Sequence, residues 1–331
     1  MTTNPVQRLL ADGTTLPAIG IGTFGSDKYG PEEVGAAVLG AVRAGYRLVD
    51  CARVYNNEGH VGQALQEAIA GGVPRAELRI MSKIWNDSHE PERALASVSA
   101  SLSDLRLDYL DVLYVHWPFP NSHDPGVDVT SRDAHARPYD HDGFMRLWRT
   151  LEGLVDQGVV RSLGTSNMTI PKLDLLLRDA RIRPAVNELE LHPCFQQGRL
   201  FQYCLDHAIQ PVAYCPLGSP SRPERDRTPD DLSDVDQPVI RQIAEAHGCH
   251  PVAVCLKWAV QRGQIPIPFA VKPAQYEANL RAVGEDPLTP AEMDAIASVE
   301  RNNRLVKGQV FLWPGAASWL DLWDVDGTIP G

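Results

Sequence analysis

Four side chains that can move protons lie at the predicted ends of three successive strands. Asp50 ends an apolar strand and Tyr55 follows it by five residues. Lys83 lies near the end of the next strand, and His116 ends the strand after that. A lysine within an apolar strand needs a partner that offsets its desolvation, and Asp50 at the neighbouring strand end is the natural candidate.

These residue types suggest acid–base chemistry on a carbonyl group. An ammonium near a phenol lowers the pKa of the phenol, so we expect Lys83 to make Tyr55 a general acid near neutral pH. His116 would orient the carbonyl, and the oxygen would be protonated as hydride arrives, or the reverse. Each residue also has a plainer interpretation, in which Asp50 caps a turn, Tyr55 packs, Lys83 extends to solvent and His116 is a rim residue.

The elements that position these residues alternate between strand and helix, which implies parallel pairing. About eight such units over roughly 250 residues predict a single (β/α)8 barrel over 1–331, with function at the C-terminal ends of the strands. A doubly wound sheet is the competitor, but no G-x-G-x-x-G opens a helix. An N-terminal β-hairpin over 5–17 precedes the barrel, variable loops lie at its C-terminal face, and a tail runs over 301–331. The predicted barrel strands are 18–23, 46–50, 78–84, 110–116, 160–166, 184–191, 211–217 and 265–270.

Composition excludes several classes of function. With 31 Lys+Arg against 42 Asp+Glu, the net charge is −11, and no basic run points to nucleic acid or an anionic membrane. The six cysteines form no C-x-x-C pair, and no stretch resembles a signal peptide or a membrane span. We therefore expect a cytoplasmic enzyme with a small-molecule substrate. No metal-ligand motif occurs, so no metal is expected, and the oligomeric state is not predicted.

Several motifs occur in the order found in the aldo-keto reductase superfamily, which the chain resembles from the hairpin to about residue 300. The matching segments are GIGTF (20–24), GYRLVDCARVYNNEGHVGQAL (45–65), SKIWNDSHEPE (82–92), LDYLDVLYVHWP (107–118), GVVRSLGTSN (158–167), PAVNELELHP (184–193) and PVAYCPLGS (211–219).

The resemblance implies a catalytic tetrad on the four residues already selected. Tyr55 would be the proton donor, Lys83 and Asp50 would tune it, and His116 would orient the carbonyl. It also implies NADP(H) or NAD(H) bound without a Rossmann fold, with Tyr214 stacked on the nicotinamide ring. The other implied cofactor contacts are Gly22, Thr23, Ser166, Asn167, Glu188, Leu217, Gly218, Ser219, Phe269, Ala270, Lys272, Gln275 and Asn279.

The segment after the last strand departs from the family pattern. The family usually has a lysine, a small hydroxyl residue and an arginine that bind the 2′-phosphate of NADP. The corresponding positions here are Phe269, Ala270 and Gln275, so neither usual cation is present, and only Lys272 is close. Because charge-assisted contacts to a phosphate are strong, we expect relaxed specificity, with NAD(H) used as well as or better than NADP(H). In the alternative, Lys272 turns in and restores recognition of the phosphate.

Glu188 is the second departure, since the family usually has glutamine there. An ionised carboxylate near the oxidised, cationic nicotinamide would favour that form, so we expect easier alcohol oxidation. In the alternative, Glu188 is protonated or turned away.

The substrate pocket implied by the resemblance has walls at Phe24, Trp85 and Trp117 and three variable loops at 118–141, 219–237 and after 301. The tryptophans of the tail would either roof the pocket or anchor the tail to the barrel. A sugar, a polyol or a multi-ring hydroxy compound suits this mixture equally. Besides a carbonyl reductase or an oxidation-biased dehydrogenase, a non-catalytic dinucleotide-binding regulatory protein remains an alternative. A sugar-phosphate isomerase would need a glycine-rich loop after the eighth strand, which 269–273 does not provide.

Overall fold

A computed structural model describes residues 6–25, 28–123, 127–128, 130–219, 222 and 227–330. Parts of the predicted hairpin, of the loops at 118–141 and 219–237 and of the tail lie outside the described residues. The ten strands are β1 (Gln7–Leu9), β2 (Thr15–Pro17), β3 (Ile21–Gly22), β4 (Leu48–Asp50), β5 (Arg79–Ile84), β6 (Leu110–Val115), β7 (Val160–Ser166), β8 (Val186–Glu190), β9 (Gln210–Tyr214) and β10 (Ile265–Pro266).

The helices follow the predicted alternation, and most begin with a proline in their first turn, as is typical of helix N-termini. They are α1 (Pro31–Ala44), α2 (Glu58–Ala70), α3 (Pro91–Leu105), α4 (His141–Asp156), α5 (Ile170–Asp179), α6 (Gly198–Asp206), α7 (Pro238–Ala246), α8 (Pro251–Arg262), α9 (Pro273–Ala282) and α10 (Pro290–Ala297). No helix among the described residues has the length and apolar character needed to span a membrane.

Strands β3 to β10 form one sheet of eight parallel strands, each paired with its sequence neighbours. The first and last strands meet through two hydrogen bonds, from Gly20 N to Pro266 O at 3.0 Å and from Gly22 N to Pro268 O at 3.1 Å. These bonds close the sheet, and the prediction of a (β/α)8 barrel is confirmed.

The first and last strands are shorter than predicted. The spans 18–23 and 265–270 reduce to two residues each. Pro266 and Pro268 have no N–H to donate, so this seam carries bonds in one direction only and regular pairing does not extend.

Every second side chain of each strand points into the barrel, because successive side chains of a strand point to opposite faces of the sheet. Inward residues include Leu48, Met81, Tyr114 and Val186, and they form one cluster with Leu10 and Leu16 of the hairpin. The predicted hairpin is present as the antiparallel pair β1–β2, and its packing in this cluster covers one end of the barrel.

The same alternation carries the site residues to the opposite end. Lys83 lies two residues after Met81, and Glu188 lies two residues after Val186. Both side chains therefore face inward, directly above the apolar floor.

The tail packs against the C-terminal face through two short 3-10 turns, Gln309–Phe311 and Trp319–Trp323. It contributes Phe311, Leu312, Trp313 and Trp323 to a second apolar cluster, which also contains Trp117. The tail is therefore packed against the barrel.

Candidate active site

The predicted pairing of Asp50 with Lys83 is present in the structure. Lys83 Nζ lies 2.6 Å from Asp50 Oδ2 and donates to the Cys51 carbonyl at 3.0 Å. Asp50 and Lys83 are only 2% and 1% exposed, so neither charge has water to solvate it. Burying such a pair is favourable only with close geometry, which these distances provide.

Tyr55 lies in a 3-10 turn just after β4, half-buried at the mouth of the barrel. Lys83 Nζ stands 5.4 Å from the centroid of its ring, and the ring of His116 is 5.9 Å away, edge to face. Phe24 covers Tyr55 from the other side at 5.2 Å between ring centroids. The fold therefore brings together all four residues selected from the sequence.

The predicted lowering of the Tyr55 pKa is wrong in its net direction. Burial raises the pKa of the phenol, and the ammonium of Lys83 opposes this only in part. The negative charge of Asp50 raises the pKa further, as does that of Glu188 when it is ionised. Tyr55 therefore remains protonated through the neutral range, in the form that donates.

His116 is neutral in this setting. Burial, with a further contribution from the Lys83 cation, holds the pKa of the imidazole well below its usual range. Its Nδ1 is buried and has no hydrogen-bond partner among the described residues. The ring packs edge to face on Trp85, at 5.1 Å between centroids. A neutral imidazole has one N–H, so it can donate to an oxygen without adding charge.

Glu188 faces the Asp50–Lys83 pair. Its Oε1 lies 3.4 Å from Lys83 Nζ, the same ammonium that Asp50 contacts. Burial and the charge of Asp50 raise the pKa of Glu188 to about 8, while Lys83 opposes the shift. This shift favours the protonated form of Glu188 at neutral pH, which is the alternative interpretation.

Ser166 and Asn167 lie at the end of β7, next to His116. Asn167 Nδ2 donates to the His116 carbonyl at 3.0 Å and contacts Ser166 Oγ at 3.2 Å, while its Oδ1 accepts from Tyr214 at 2.7 Å. The Tyr214 ring is half-buried and leaves one part open at the barrel mouth. Polar amide groups beside an accessible aromatic ring fit a nicotinamide and its carboxamide.

The loop after β9 has the backbone expected of a phosphate-binding turn. Gly218 and Ser219 have φ of 67° and 41°, a conformation in which successive N–H groups can converge. A Cβ on Gly218 would stand 2.3 Å from Asp234 Oδ2, so this position needs glycine. Leu217 packs beneath the turn. The residues thus fit the pyrophosphate contact implied by the family resemblance.

Gly22 and Thr23 lie at the seam of the barrel. A Cβ on Gly22 would stand 2.9 Å from the Ile267 carbonyl, and Thr23 Oγ1 donates to the Asp50 carbonyl at 2.8 Å. Thr23 is fully buried. In this structure both residues support the strand end that carries Asp50.

The predicted adenosine end lies at the start of α9. Lys272 is its N-cap residue and is exposed, as is Gln275, whereas Asn279 and Ala270 are buried. Phe269 packs on Tyr29, at 5.6 Å between ring centroids. No described residue forms an ion pair or hydrogen bond with the Lys272 side chain. Its ammonium is therefore available to an anion, and the helix N-terminus adds to the attraction.

Aromatic rings line the space above Tyr55 and His116. Trp85 and Trp117, both selected from the sequence, each contact Phe311 of the tail, at 5.9 and 4.6 Å between ring centroids. Phe311 was not predicted as a pocket residue, although its place in the aromatic segment FLW was a usable signal. Trp323 packs on Trp117 at 5.6 Å, so the tail both covers the pocket wall and anchors itself there.

Two buried carboxyl groups that hold the tail, those of Asp324 and Glu190, were also missed. Lys172 on α5 bonds Asp324 at 2.5 Å, with both side chains almost fully buried. Glu190 accepts from the N–H groups of Leu305 and Val306 at 2.6 and 2.8 Å. Pairing over such sequence separations leaves no local sequence signal.

Within the described ranges, no three His, Cys, Asp or Glu residues converge on a point that could bind an ion. Four of the six cysteines are fully buried, and Cys215 and Cys249 are half-buried.

Comparison with known proteins supports the same conclusion as the geometry. The model of the Aldo/keto reductase family matches residues 18–301. An aldo/keto reductase of Synechocystis is 40% identical over 317 residues, covering 95% of each chain. Aldo-keto reductase family 1 member A1 of the mouse is 38% identical over 300 residues, covering 90% of each.

Solved structures agree. A Bombyx mori aldo-keto reductase in complex with NADP has a TM-score of 0.80 and 29% identity, covering 92% of this chain and 95% of the other. An aldo/keto reductase from Brucella melitensis has a TM-score of 0.75 and 30% identity, covering 89% and 100%. With the closed parallel barrel and the cluster at its mouth, these matches show that the chain belongs to the aldo/keto reductase family of oxidoreductases.

Proposed function

We propose that this enzyme interconverts a carbonyl compound and an alcohol by hydride transfer, with Tyr55 as the general acid and base. The observation that carries the proposal is the Lys83 ammonium, held by Asp50 at 2.6 Å and standing 5.4 Å from the Tyr55 ring centroid. When bound, a nicotinamide dinucleotide supplies or accepts the hydride.

The protein residues handle the proton and the orientation. His116, which is neutral, donates a hydrogen bond to the carbonyl oxygen and fixes its direction. Tyr55 stays protonated until negative charge develops on that oxygen, then gives up its proton. Lys83 stabilises the phenolate that remains. A raised phenol pKa is compatible with this order because an alkoxide is a far stronger base than a phenolate.

Tyr55→Phe tests the assignment. We expect loss of about 100-fold or more in kcat, the usual contribution of a general acid, with cofactor affinity unchanged. Tyr114→Phe is the matched control: Tyr114 also lies near Lys83, at 5.7 Å from Nζ to ring centroid, but its hydroxyl donates to Met81 Sδ. A Tyr55→Phe enzyme with wild-type kcat would refute the role of Tyr55. Biological activity that survives this change intact would favour a non-catalytic, dinucleotide-binding role.

For the cofactor we propose use of both NAD(H) and NADP(H). Lys272 is the cation at the start of α9, where the 2′-phosphate of NADP would bind. Phe269, Ala270 and Gln275 carry no charge. We expect kcat/KM values for the two reduced cofactors within about tenfold of each other, and Lys272→Ala should lower only the value for NADPH. A thousand-fold preference for NADPH would refute dual use.

For the substrate we propose a compound with an apolar or ring-shaped face. Trp85, Trp117 and Phe311 offer ring surfaces around the reacting position, and rings of this kind stack on sugars and on fused hydrocarbon rings alike. A screen of aldehydes, ketones, sugars, polyols and multi-ring secondary alcohols in both directions separates a carbonyl reductase from an oxidation-biased dehydrogenase. Activity only on small charged aldehydes would contradict the proposal. We also propose that the enzyme works in the cytoplasm.

A further inference from the structure

A third buried ionisable group lies against the Asp50–Lys83 pair. Glu188 is 2% exposed, and its Oε1 is 3.4 Å from the same Nζ that Asp50 approaches to 2.6 Å. One ammonium therefore faces two carboxyl groups. Asp50 is the closer and directly hydrogen-bonded one, so it is the group that the lysine keeps ionised.

The remaining oxygens of the two carboxyl groups lack donors. Asp50 Oδ1 and Glu188 Oε2 are both buried, and neither accepts a hydrogen bond from any donor in the described part of the chain. The carboxyl groups of Asp50 and Glu188 lie against the same ammonium, and the charge of Asp50 raises the pKa of Glu188. A single proton held between them would give both oxygens a partner and leave one negative charge for Lys83.

We propose that Glu188 is a positioning residue that shares one proton with Asp50, and that this proton sets the charge around Lys83 and thus the acidity of Tyr55. The kinetic part of this inference rests on the proposed function of Tyr55. With the proton present the cluster is electrically neutral, and without it the cluster carries one net negative charge beneath the reacting centre.

Because of the groups around Glu188, this proton should be lost within the pH range in which the enzyme can be assayed. Burial and the charge of Asp50 together raise the pKa of Glu188 to about 8. Negative charge on Glu188 in turn raises the pKa of the surrounding phenols, Tyr55 among them. The ionisable groups that act on Glu188, or on which its charge acts, are Asp50 on β4, Lys83 on β5, Tyr114 on β6, Tyr214 on β9 and Tyr55 in the turn after β4.

Two consequences follow as the pH rises through about 8. Tyr55 becomes a weaker acid, so reduction slows. The added negative charge attracts the cationic, oxidised nicotinamide, so affinity shifts toward the oxidised cofactor. Below this pH, neither effect operates. Easier alcohol oxidation is therefore a property of the alkaline form of the enzyme alone.

Glu188→Gln keeps the shape of the side chain and removes the shared proton. Glu58→Gln is the matched control, because Glu58 is also a buried carboxylate nearby but is bound by Ser82 and Ser101 at 2.6 and 2.8 Å. Wild type and variants are compared by infrared spectroscopy of the protonated carboxyl band, by dissociation constants of oxidised and reduced cofactor, and by kcat/KM of reduction, each from pH 6 to 10.

In the wild type and Glu58→Gln, we expect the carboxyl band to disappear around pH 8. Over the same range kcat/KM of reduction and the ratio of oxidised to reduced cofactor dissociation constants should both fall by about tenfold, the effect of one pKa unit. All three changes should be absent in Glu188→Gln. If that variant does not fold, Asp50→Asn decides: Glu188 then becomes the sole carboxylate for Lys83, and its band should vanish well below pH 8.

A band that is missing in the wild type, or that persists unchanged in Glu188→Gln, would overturn the shared proton. A wild-type enzyme that reduces no carbonyl compound would instead refute the proposed function. The infrared result stands independently of turnover, so the two failures can be told apart.

Discussion

The ion pair between Lys172 and Asp324 offers a direct way to release the tail. Asp324→Asn keeps the size of the side chain but removes its charge. It leaves the Lys172 ammonium, which is 2% exposed, with the Leu322 carbonyl at 3.2 Å and a neutral amide. Thr169 also donates to Asp324 and would keep a weaker bond to the amide.

The size of the effect follows from burial on both sides. Breaking a buried pair by removing one partner costs about 3 to 5 kcal/mol, because the other charge stays desolvated. Detaching the tail lets Lys172 reach water, so this cost falls on the docking equilibrium. The open population should rise by roughly two to three and a half orders of magnitude.

Hydrogen exchange measures this opening directly. The N–H groups of Leu305 and Val306, held by Glu190, and the Trp323 indole N–H, which donates to the Lys307 carbonyl at 2.9 Å, report the docked state. Because Phe311 and Trp323 pack on Trp117, KM for the substrate should rise together with the exchange rate.

Asp326→Asn is the matched control, since Asp326 is exposed and bonds only within its own turn to Thr328. Adding Lys172→Met to the Asp324→Asn variant should recover most of the protection, because the unpaired buried charge is then gone. Unchanged exchange in Asp324→Asn, or equal effects of the two Asp→Asn variants, would refute the reasoning.

Three further predictions concern charge and backbone. Asp234 and Glu190 raise the pKa of buried His192 to about 9, above an unfolded value of about 6.5, so the stabilisation from His192 is complete below pH 6.5 and is lost as the pH rises through 9. Urea titration should show that the free energy of unfolding falls by an amount on the order of 3 kcal/mol over this range, and His192→Gln should abolish the decrease. A flat wild-type profile would contradict this prediction. Lys83→Met should lower the free energy of unfolding at pH 7 by about 3 kcal/mol in urea titrations, because Asp50 would stay buried without its partner. The same variant should lower kcat/KM by about 100-fold or more in steady-state kinetics. A variant as stable as the wild type would mean that Lys83 does not hold Asp50. Gly218→Ala brings a Cβ within 2.3 Å of Asp234 Oδ2, so the cofactor dissociation constant should rise about tenfold in a fluorescence titration. Gly263→Ala is the control, because Gly263 also has positive φ but has open space around its Cβ, and it should leave cofactor affinity unchanged. Equal cofactor affinities in the wild type and both variants would exclude a role for the loop after β9.

Sequence patterns predicted the elements whose signals are local. The strand Val160–Ser166 has the predicted bounds, because its apolar period and the turn residues beside it mark its ends. Asp50 and Lys83 were paired from strand ends alone, since parallel neighbours bring their C-terminal ends to one edge. The lengths of the first and last barrel strands were overestimated. An apolar run in the sequence does not show which N–H groups are missing from the pairing.

Features that depend on long-range neighbours were not predictable. Glu188 reaches Lys83 across the barrel interior from β8, and sequence alone gives no distance between strands three apart. The sign of the Tyr55 pKa shift depends on how completely the turn after β4 is buried, which competes with the lysine charge. The Lys172–Asp324 pair spans 152 residues, beyond any periodic signal.

The proline-rich last strand also bears on self-association. Any opening of the barrel would separate β10 from β3 and expose two strand edges, which other chains can pair with. On the β10 edge, the residues facing β3 are Pro266 and Pro268, which present carbonyl acceptors and no N–H donor. An incoming strand could satisfy only half of a ladder there. The residues that close the sheet thus also protect its opened edge against aggregation.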